Sequence, residues 1–318
     1  MPTLAVIGLG LIGSSIARAV AARGLAQRII GIDRSADVCA RAVEIGLGDE
    51  VRPLDGDAAR GADLVVLAVP LGAMGDVVRA IRPSLDSMAV VTDVGSSKQS
   101  VLRDMADAML RPERFVAGHP IAGTEQSGPD AGFSTLFDGR WCILTPDTST
   151  DENALTTVRR FWEALGSTVE TMDAAHHDLV LATTSHLPHL IAYNIVGTAA
   201  DLEDITRSEV IKFSAGGFRD FTRLAASDPV MWRDVCLNNR DALLQMLDNF
   251  SSDLADLRAS VAHGDGDALF ELFARTRAIR RGIIDAGQEV AGPDFGRLEA
   301  SAGRPAKLGP VPSPYAAE

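Results

Sequence analysis

The chain opens on an apolar run, residues 3–8 (TLAVIG), which breaks at once into Gly8-Leu9-Gly10-Leu11-Ile12-Gly13 and then into an Ala-rich stretch of helical periodicity. Few architectures place three glycines at that spacing between a strand and a helix. Gly8 permits a sharp turn out of the strand, Gly10 lets the backbone approach a pyrophosphate, and Gly13 lets the helix pack close to the sheet. The helix N terminus behind them, starting at Leu11 and Ile12, offers unpaired N–H groups and a partial positive charge that hold a phosphate without a lysine. Residues 28–33 (RIIGID) read as a second strand and bring Asp33 about 20 positions past Gly13, where an acid accepts hydrogen bonds from an adenosine ribose. The carboxylate also repels the 2′-phosphate of NADP, so NAD is the expected cofactor. Arg34 follows directly and could embrace that phosphate, although a solvated arginine is its more ordinary reading.

Further strands are expected at 62–70 (ADLVVLAVP), 88–94 (MAVVTDV), 114–118 (RFVAG), 140–145 (RWCILT) and 168–172, with a helix at 152–165. After residue 172 strand signals stop and helical periodicity runs to about residue 290. The expected fold is therefore an α/β Rossmann-type N-terminal domain followed by an all-α C-terminal domain. Its boundaries are 1–172 for the NAD-binding domain, 173–290 for a helical substrate and dimerisation domain, and 291–318 for a partly ordered tail rich in Gly, Pro, Ala and Ser. Aromatic residues make up 5% of the chain against 46% hydrophobic, so the core rests on Ala, Val, Leu and Ile, as helices on a parallel sheet require.

A net charge of −13 argues against nucleic acid as a partner, since phosphate backbones call for a Lys/Arg surface. Cys39, Cys142 and Cys236 are odd in number and lack any C-x-x-C spacing, so they read as reduced, buried thiols. No run reaches the roughly 18 apolar residues of a membrane span, and the apolar start lacks a basic leader. A cytoplasmic protein is expected.

Four later stretches are too chemically specific to be ordinary core: DVGSSK at 93–98, GHPIAGTEQSG at 118–128, SHLPH at 185–189 and FRDFTRLAASDPVMWRD at 218–234. With the glycine motif, they resemble the prephenate and arogenate dehydrogenase family over roughly residues 3 to 250. The resemblance implies oxidation of a cyclohexadienol at its ring hydroxyl, hydride transfer to NAD, and loss of the ring carboxylate as carbon dioxide, giving 4-hydroxyphenylpyruvate or tyrosine. Such chemistry needs a base for the hydroxyl proton and a cation for a substrate carboxylate.

His119, between Gly118 and Pro120, matches the family's catalytic histidine; an imidazole titrating at about 6.5 accepts a proton at neutral pH. Ser96 matches a family serine that would orient the substrate hydroxyl or His119, while either it or Ser97 could instead cap a helix starting near Lys98. Lys98 lies near the site but could simply be solvated. Arg223 matches the substrate arginine, whose planar guanidinium pairs bidentately with a carboxylate. Arg219 lies four residues earlier, and Asp220 could steer either arginine. Thr124 and Glu125 fall at family positions lining the substrate pocket, as do His189 and Trp232. His186 and His189 lack a cysteine or carboxylate cluster to complete a metal shell, so no metal is expected.

The apolar breadth of helical segments 174–200 and 229–258 favours a homodimer, also the family's habit. A β-hydroxyacid dehydrogenase would share the layout but rely on a helical-domain lysine, for which Lys212 is the one candidate before the tail. A nonenzymatic NAD sensor would keep Gly8, Gly10 and Gly13 without requiring His119 or Arg223. An acid near the substrate side chain would favour arogenate over prephenate, and Glu125 does not settle that choice.

Overall fold

The computed structural model describes residues 1–124, 126–206 and 216–285. Glu125, Lys212 and the expected tail from residue 291 lie outside the described residues. Met1–Asp253 form one compact unit and the chain from Leu254 a second.

The first unit begins with β1 (Thr3–Ile7), α1 (Leu11–Arg23), β2 (Arg28–Asp33), α2 (Ala36–Glu44), β3 (Glu50–Pro53), β4 (Leu64–Leu67), α3 (Met74–Ile81), β5 (Val90–Asp93), α4 (Gln99–Ala108) and β6 (Phe115–Val116). These strands form a six-stranded sheet in the order β3-β2-β1-β4-β5-β6, every pair parallel. The order reverses beside β1, which leaves a crevice at the strands' C-terminal ends between β1 and β4. Then come β7 (Gly118–Pro120), β8 (Trp141–Leu144), α5 (Glu152–Ala164) and β9 (Thr168–Thr171). Side chains alternate across the sheet: Leu4 and Val6 pack with α1 and α5, whereas Ala5 and Ile7 pack with α3 and α4. A buried Val, Leu or Ile contributes about 1.5–3 kcal/mol, so rows of them on both faces stabilise the sheet with few aromatic anchors.

Two strand expectations are corrected. Segment 114–118 is not one strand: β6 stays in the large sheet, and β7 enters a separate sheet, antiparallel to β8, which in turn pairs in parallel with β9. The switch falls at Ala117, whose carbonyl accepts from Thr145 N–H at 2.9 Å while Gly118 N–H donates to the Asp93 carboxylate at 3.0 Å. Strand β3 was not expected. It is short, ends in proline and is at most half-buried, so it carries little alternation.

Helix α6 (Ala174–Leu181) continues through a π-helical segment, Ala182–His186, into α7 (Leu187–Thr206). The widened turn has a local cause. Pro188 has no N–H for the carbonyl four residues back, and the ring of His189 takes the Ser185 carbonyl at 2.8 Å. Helix α8 (Gly216–Thr222) runs into a 3-10 turn, Arg223–Ala226, followed by α9 (Pro229–Asn238) and α10 (Arg240–His263). The helix expected at 229–258 is thus interrupted at Asn239.

In the second unit, the end of α10 turns at Gly264, φ 66°, into α11 (Gly266–Ile283), whose N terminus is capped by Asp265 accepting from Ala268 N–H at 2.9 Å. Leu254, Val261, Phe270, Phe273 and Ile279 are exposed there. No helix among the described residues is long and apolar enough to cross a membrane. All three cysteines are free, but only Cys142 is buried; Cys39 and Cys236 are half-exposed.

Candidate active site

The glycine turn leaves β1 at Gly8, whose φ of 93° belongs to the region that favours glycine. A Cβ there would overlap the Ala68 carbonyl after β4, and one at Gly13 would overlap the Gly8 carbonyl, so α1 lies hard against the turn. Gly10 is the N-cap of α1 and supplies no capping side chain, and a Cβ built on it meets nothing within 4 Å. The first turn, Leu11 and Ile12, therefore presents its N–H groups to an open space beside the sheet's crevice, which fits a pyrophosphate. Asp33 closes the cradle: one carboxylate oxygen accepts from Leu9 N–H and the other from Ser35 N–H, both at 2.9 Å. Remaining lone pairs on both oxygens fit ribose hydroxyls. Arg34 is exposed.

His119 sits on β7 opposite Ile143, and 9% of its surface is exposed. Its Nδ1 lies 2.9 Å from Nε2 of His177, whose Nδ1 lies 2.8 Å from the Asp178 carboxylate. Both partners come from α6 and are fully buried. Burial, then the neighbouring His177, Lys98 and His186, hold the His119 imidazole well below its usual titration range. His177 is also lowered, by burial that outweighs its bond to Asp178. Burial pushes Asp178 up, but hydrogen bonds from His177 and from two backbone N–H groups prevail and leave it below the usual carboxylate value.

Those two N–H groups belong to Lys98 and Gln99, at 2.7 and 3.0 Å, where α4 begins. Neither Ser96 nor Ser97 caps that helix: a carboxylate from α6 does, and it satisfies two donors with one side chain. Ser96 is half-buried in the loop before α4. Lys98 is not solvated. It is fully buried, donating from Nζ to Asp93 and to the Gly118 carbonyl, each at 2.6 Å. Burial lowers its pKa, and Asp93 opposes that without restoring the ordinary value.

The expected substrate residues assemble in part. His189 and Trp232 stack with ring centroids 3.6 Å apart, and Arg223 is near enough to His189 to help depress a pKa that burial already lowers. Trp232 also belongs to the core cluster under α3 and α4. His186 is buried edge-on to Trp232 at 6.0 Å, and burial takes its pKa to about 4. Asn239 donates to the Asp178 carbonyl at 2.7 Å and, through the same amide, to His186 Nδ1 at 3.1 Å. The proton of neutral His186 is therefore on Nε2. That atom and Trp232 Nε1 are buried donors without an acceptor among the described residues. Thr124 is exposed in the loop after β7, and Asp220 accepts from Arg219 at 3.2 Å.

Sequence reasoning passed over His177, Asp178 and Asn239. A signal was present for the first two: His177 and Asp178 occupy the buried stripe that continues to Leu181 and Ala182, one turn on. Polar residues in an apolar stripe have a partner or a task. Asn239, in a one-residue break between helices, carries no comparable signal.

Compared with known proteins, residues 16–171 match the family model described as prephenate dehydrogenase, nucleotide-binding domain, and residues 173–275 the model described as prephenate dehydrogenase, dimerization domain. The chain is 46% identical over 277 residues to the cyclohexadienyl dehydrogenase of Zymomonas mobilis, covering 87% of this chain and 94% of that protein. It is 35% identical over 284 residues to the prephenate dehydrogenase of Bacillus subtilis, covering 88% and 76%. Among solved structures, the prephenate dehydrogenase of Aquifex aeolicus in complex with hydroxyphenyl propionate and NAD+ superposes with a TM-score of 0.83 at 33% identity, covering 89% of this chain and 98% of that one.

Proposed function

The chain belongs to the prephenate dehydrogenase family, and from that premise we propose that it carries out the NAD-dependent oxidative decarboxylation of prephenate, arogenate or both, as a cytoplasmic homodimer. It is an oxidoreductase with a dehydrogenase role in tyrosine biosynthesis. NAD, when bound, supplies the hydride acceptor. Gly8, Gly10 and Gly13 with the N–H groups of Leu11 and Ile12 would hold its pyrophosphate, and Asp33 its adenosine ribose.

The observation that supports this reading most is the His119 imidazole, buried with its Nδ1 2.9 Å from His177 Nε2 and held by burial well below its usual titration range. His119 takes the ring-hydroxyl proton as hydride leaves the carbinol carbon. Breaking the bond to the ring carboxylate releases carbon dioxide and sends that electron pair to the oxygen; His119 then returns the proton and a phenol remains. General-base help of this kind is worth about 10²- to 10⁴-fold. Ser96 orients the hydroxyl or His119, and Arg223 pairs with a substrate carboxylate. His189, Trp232 and Thr124 line the pocket. Exposed Phe270, Phe273 and Val261, within or beside the stretch matching a dimerization domain, support pairing of two copies.

Initial rates of NADH or NADPH formation, with prephenate and arogenate offered separately against NAD and NADP, test the proposal. NAD-dependent turnover of either acid supports it and the ratios assign both preferences; tight NADH binding without turnover of either overturns it.

A further inference from the structure

We infer that His177 and Asp178 are positioning residues that lock His119 in the tautomer whose Nε2 carries the lone pair. The inference rests on the reading of His119 as the base and follows from donor and acceptor accounting along three buried side chains. Lys98 N–H, Gln99 N–H and His177 Nδ1 all converge on the Asp178 carboxylate, at 2.7, 3.0 and 2.8 Å. A carboxylate only accepts, so His177 carries its proton on Nδ1 and, being neutral, has a lone pair on Nε2. That lone pair lies 2.9 Å from His119 Nδ1, which must then be the protonated atom. His119 Nε2 is left as the acceptor.

Asp178 itself is fixed from two sides. Its carboxylate spans the N–H groups of Lys98 and Gln99 at the start of α4, and its backbone carbonyl accepts from Asn239, whose amide also holds His186. The same residue that sets the tautomer of His119 thus joins the β5–α4 loop carrying Ser96 to the helices carrying His186 and Trp232. When His119 accepts a proton, the imidazolium charge is shared with His177 through the same bond and faces the Asp178 carboxylate one residue further. No group need move to stabilise it.

Long-range ¹H–¹⁵N correlation spectra of the full-length chain, labelled at histidine and recorded with and without NADH, read each tautomer directly and need no turnover. The expected pattern is Nδ1–H on both His119 and His177. A spectrum with His119 protonated on Nε2 overturns the inference even if the chain oxidises prephenate, whereas the expected spectrum with no turnover leaves it intact and removes the functional reading instead. His177→Leu should mix the His119 tautomers and lower kcat by about 10²-fold with KM nearly unchanged, and His177→Gln, whose amide oxygen can still accept from His119 Nδ1–H, should recover most of both. Unchanged tautomers and kcat in His177→Leu would contradict the lock. Should that variant not fold, Asp178→Asn, which leaves one of three donors without an acceptor, should give the same mixing; a single unaltered His119 tautomer in it would contradict the lock equally.

Discussion

Lys98 Nζ meets the Asp93 carboxylate at 2.6 Å in a place where neither side chain has any exposed surface. The Asp93 carboxylate also accepts from Gly95 and Gly118 N–H, so this one ion pair ties the end of β5 to the residue before His119. Removing one partner of a buried pair leaves an uncompensated charge. Lys98→Met should therefore lower unfolding stability by about 3–5 kcal/mol, read from urea denaturation at neutral pH. A loss below about 1 kcal/mol would mean that the backbone donors alone suffice for Asp93.

Acid sensitivity follows from the imidazoles. His119, His177 and His186 are buried, and all three are held below 6.5, His186 at about 4. With the folded pKa below the unfolded one, the unfolded chain binds more protons as pH falls, so stability is full above about 6.5 and drops beneath it. Each such group adds a slope of up to about 1.4 kcal/mol per pH unit. Denaturation midpoints should fall steeply between pH 6.5 and 5, and less steeply in His186→Asn. A flat profile across that window would be inconsistent with neutral buried histidines.

Gly10 and Gly13 should respond differently to the same substitution. Gly10→Val adds a side chain to open space at an extended φ of −73°, so the fold should persist while affinity for NADH falls at least about tenfold, a loss of about 1.4 kcal/mol. Gly13→Val drives a side chain into the Gly8 carbonyl and should destabilise the fold itself. Calorimetric titration and thermal melts of the two variants separate these effects; normal NADH binding by Gly10→Val would put the pyrophosphate elsewhere.

Arg223 and Arg219 divide by their surroundings. Arg219 is highly exposed and bonded to Asp220, whereas Arg223 is near enough to His189 to help depress its pKa. Arg223→Ala should raise the substrate KM about tenfold or more with kcat less affected, because a carboxylate partner serves ground and transition states alike. Arg219→Ala should leave KM within about twofold. The reverse result would move the carboxylate to Arg219.

Much of this was legible in the sequence because local pattern and tertiary role coincide. The glycine turn, β2 with Asp33, and the Gly-His-Pro segment each carry their geometry in a few neighbouring residues. What was not legible depends on contacts between distant segments. The hydroxyls nearest in sequence to the start of α4 are those of Ser96 and Ser97, whereas its cap comes from Asp178 on α6. Lys98 looked like a solvated lysine because nothing local announces that Asp93 and the Gly118 carbonyl enclose its amine. The division of 114–118 between two sheets depends likewise on Asp93 and Thr145, neither of which adjoins it.

The most direct test of the central claim is to follow NADH and carbon dioxide together, from prephenate and from arogenate carrying a ¹³C label in the ring carboxylate, with the wild-type chain and with His119→Asn. The account predicts equal amounts of NADH and labelled carbon dioxide from at least one acid, and a rate at least about 10²-fold lower in His119→Asn with NADH affinity preserved. NADH without carbon dioxide, or an unimpaired His119→Asn enzyme, would contradict it.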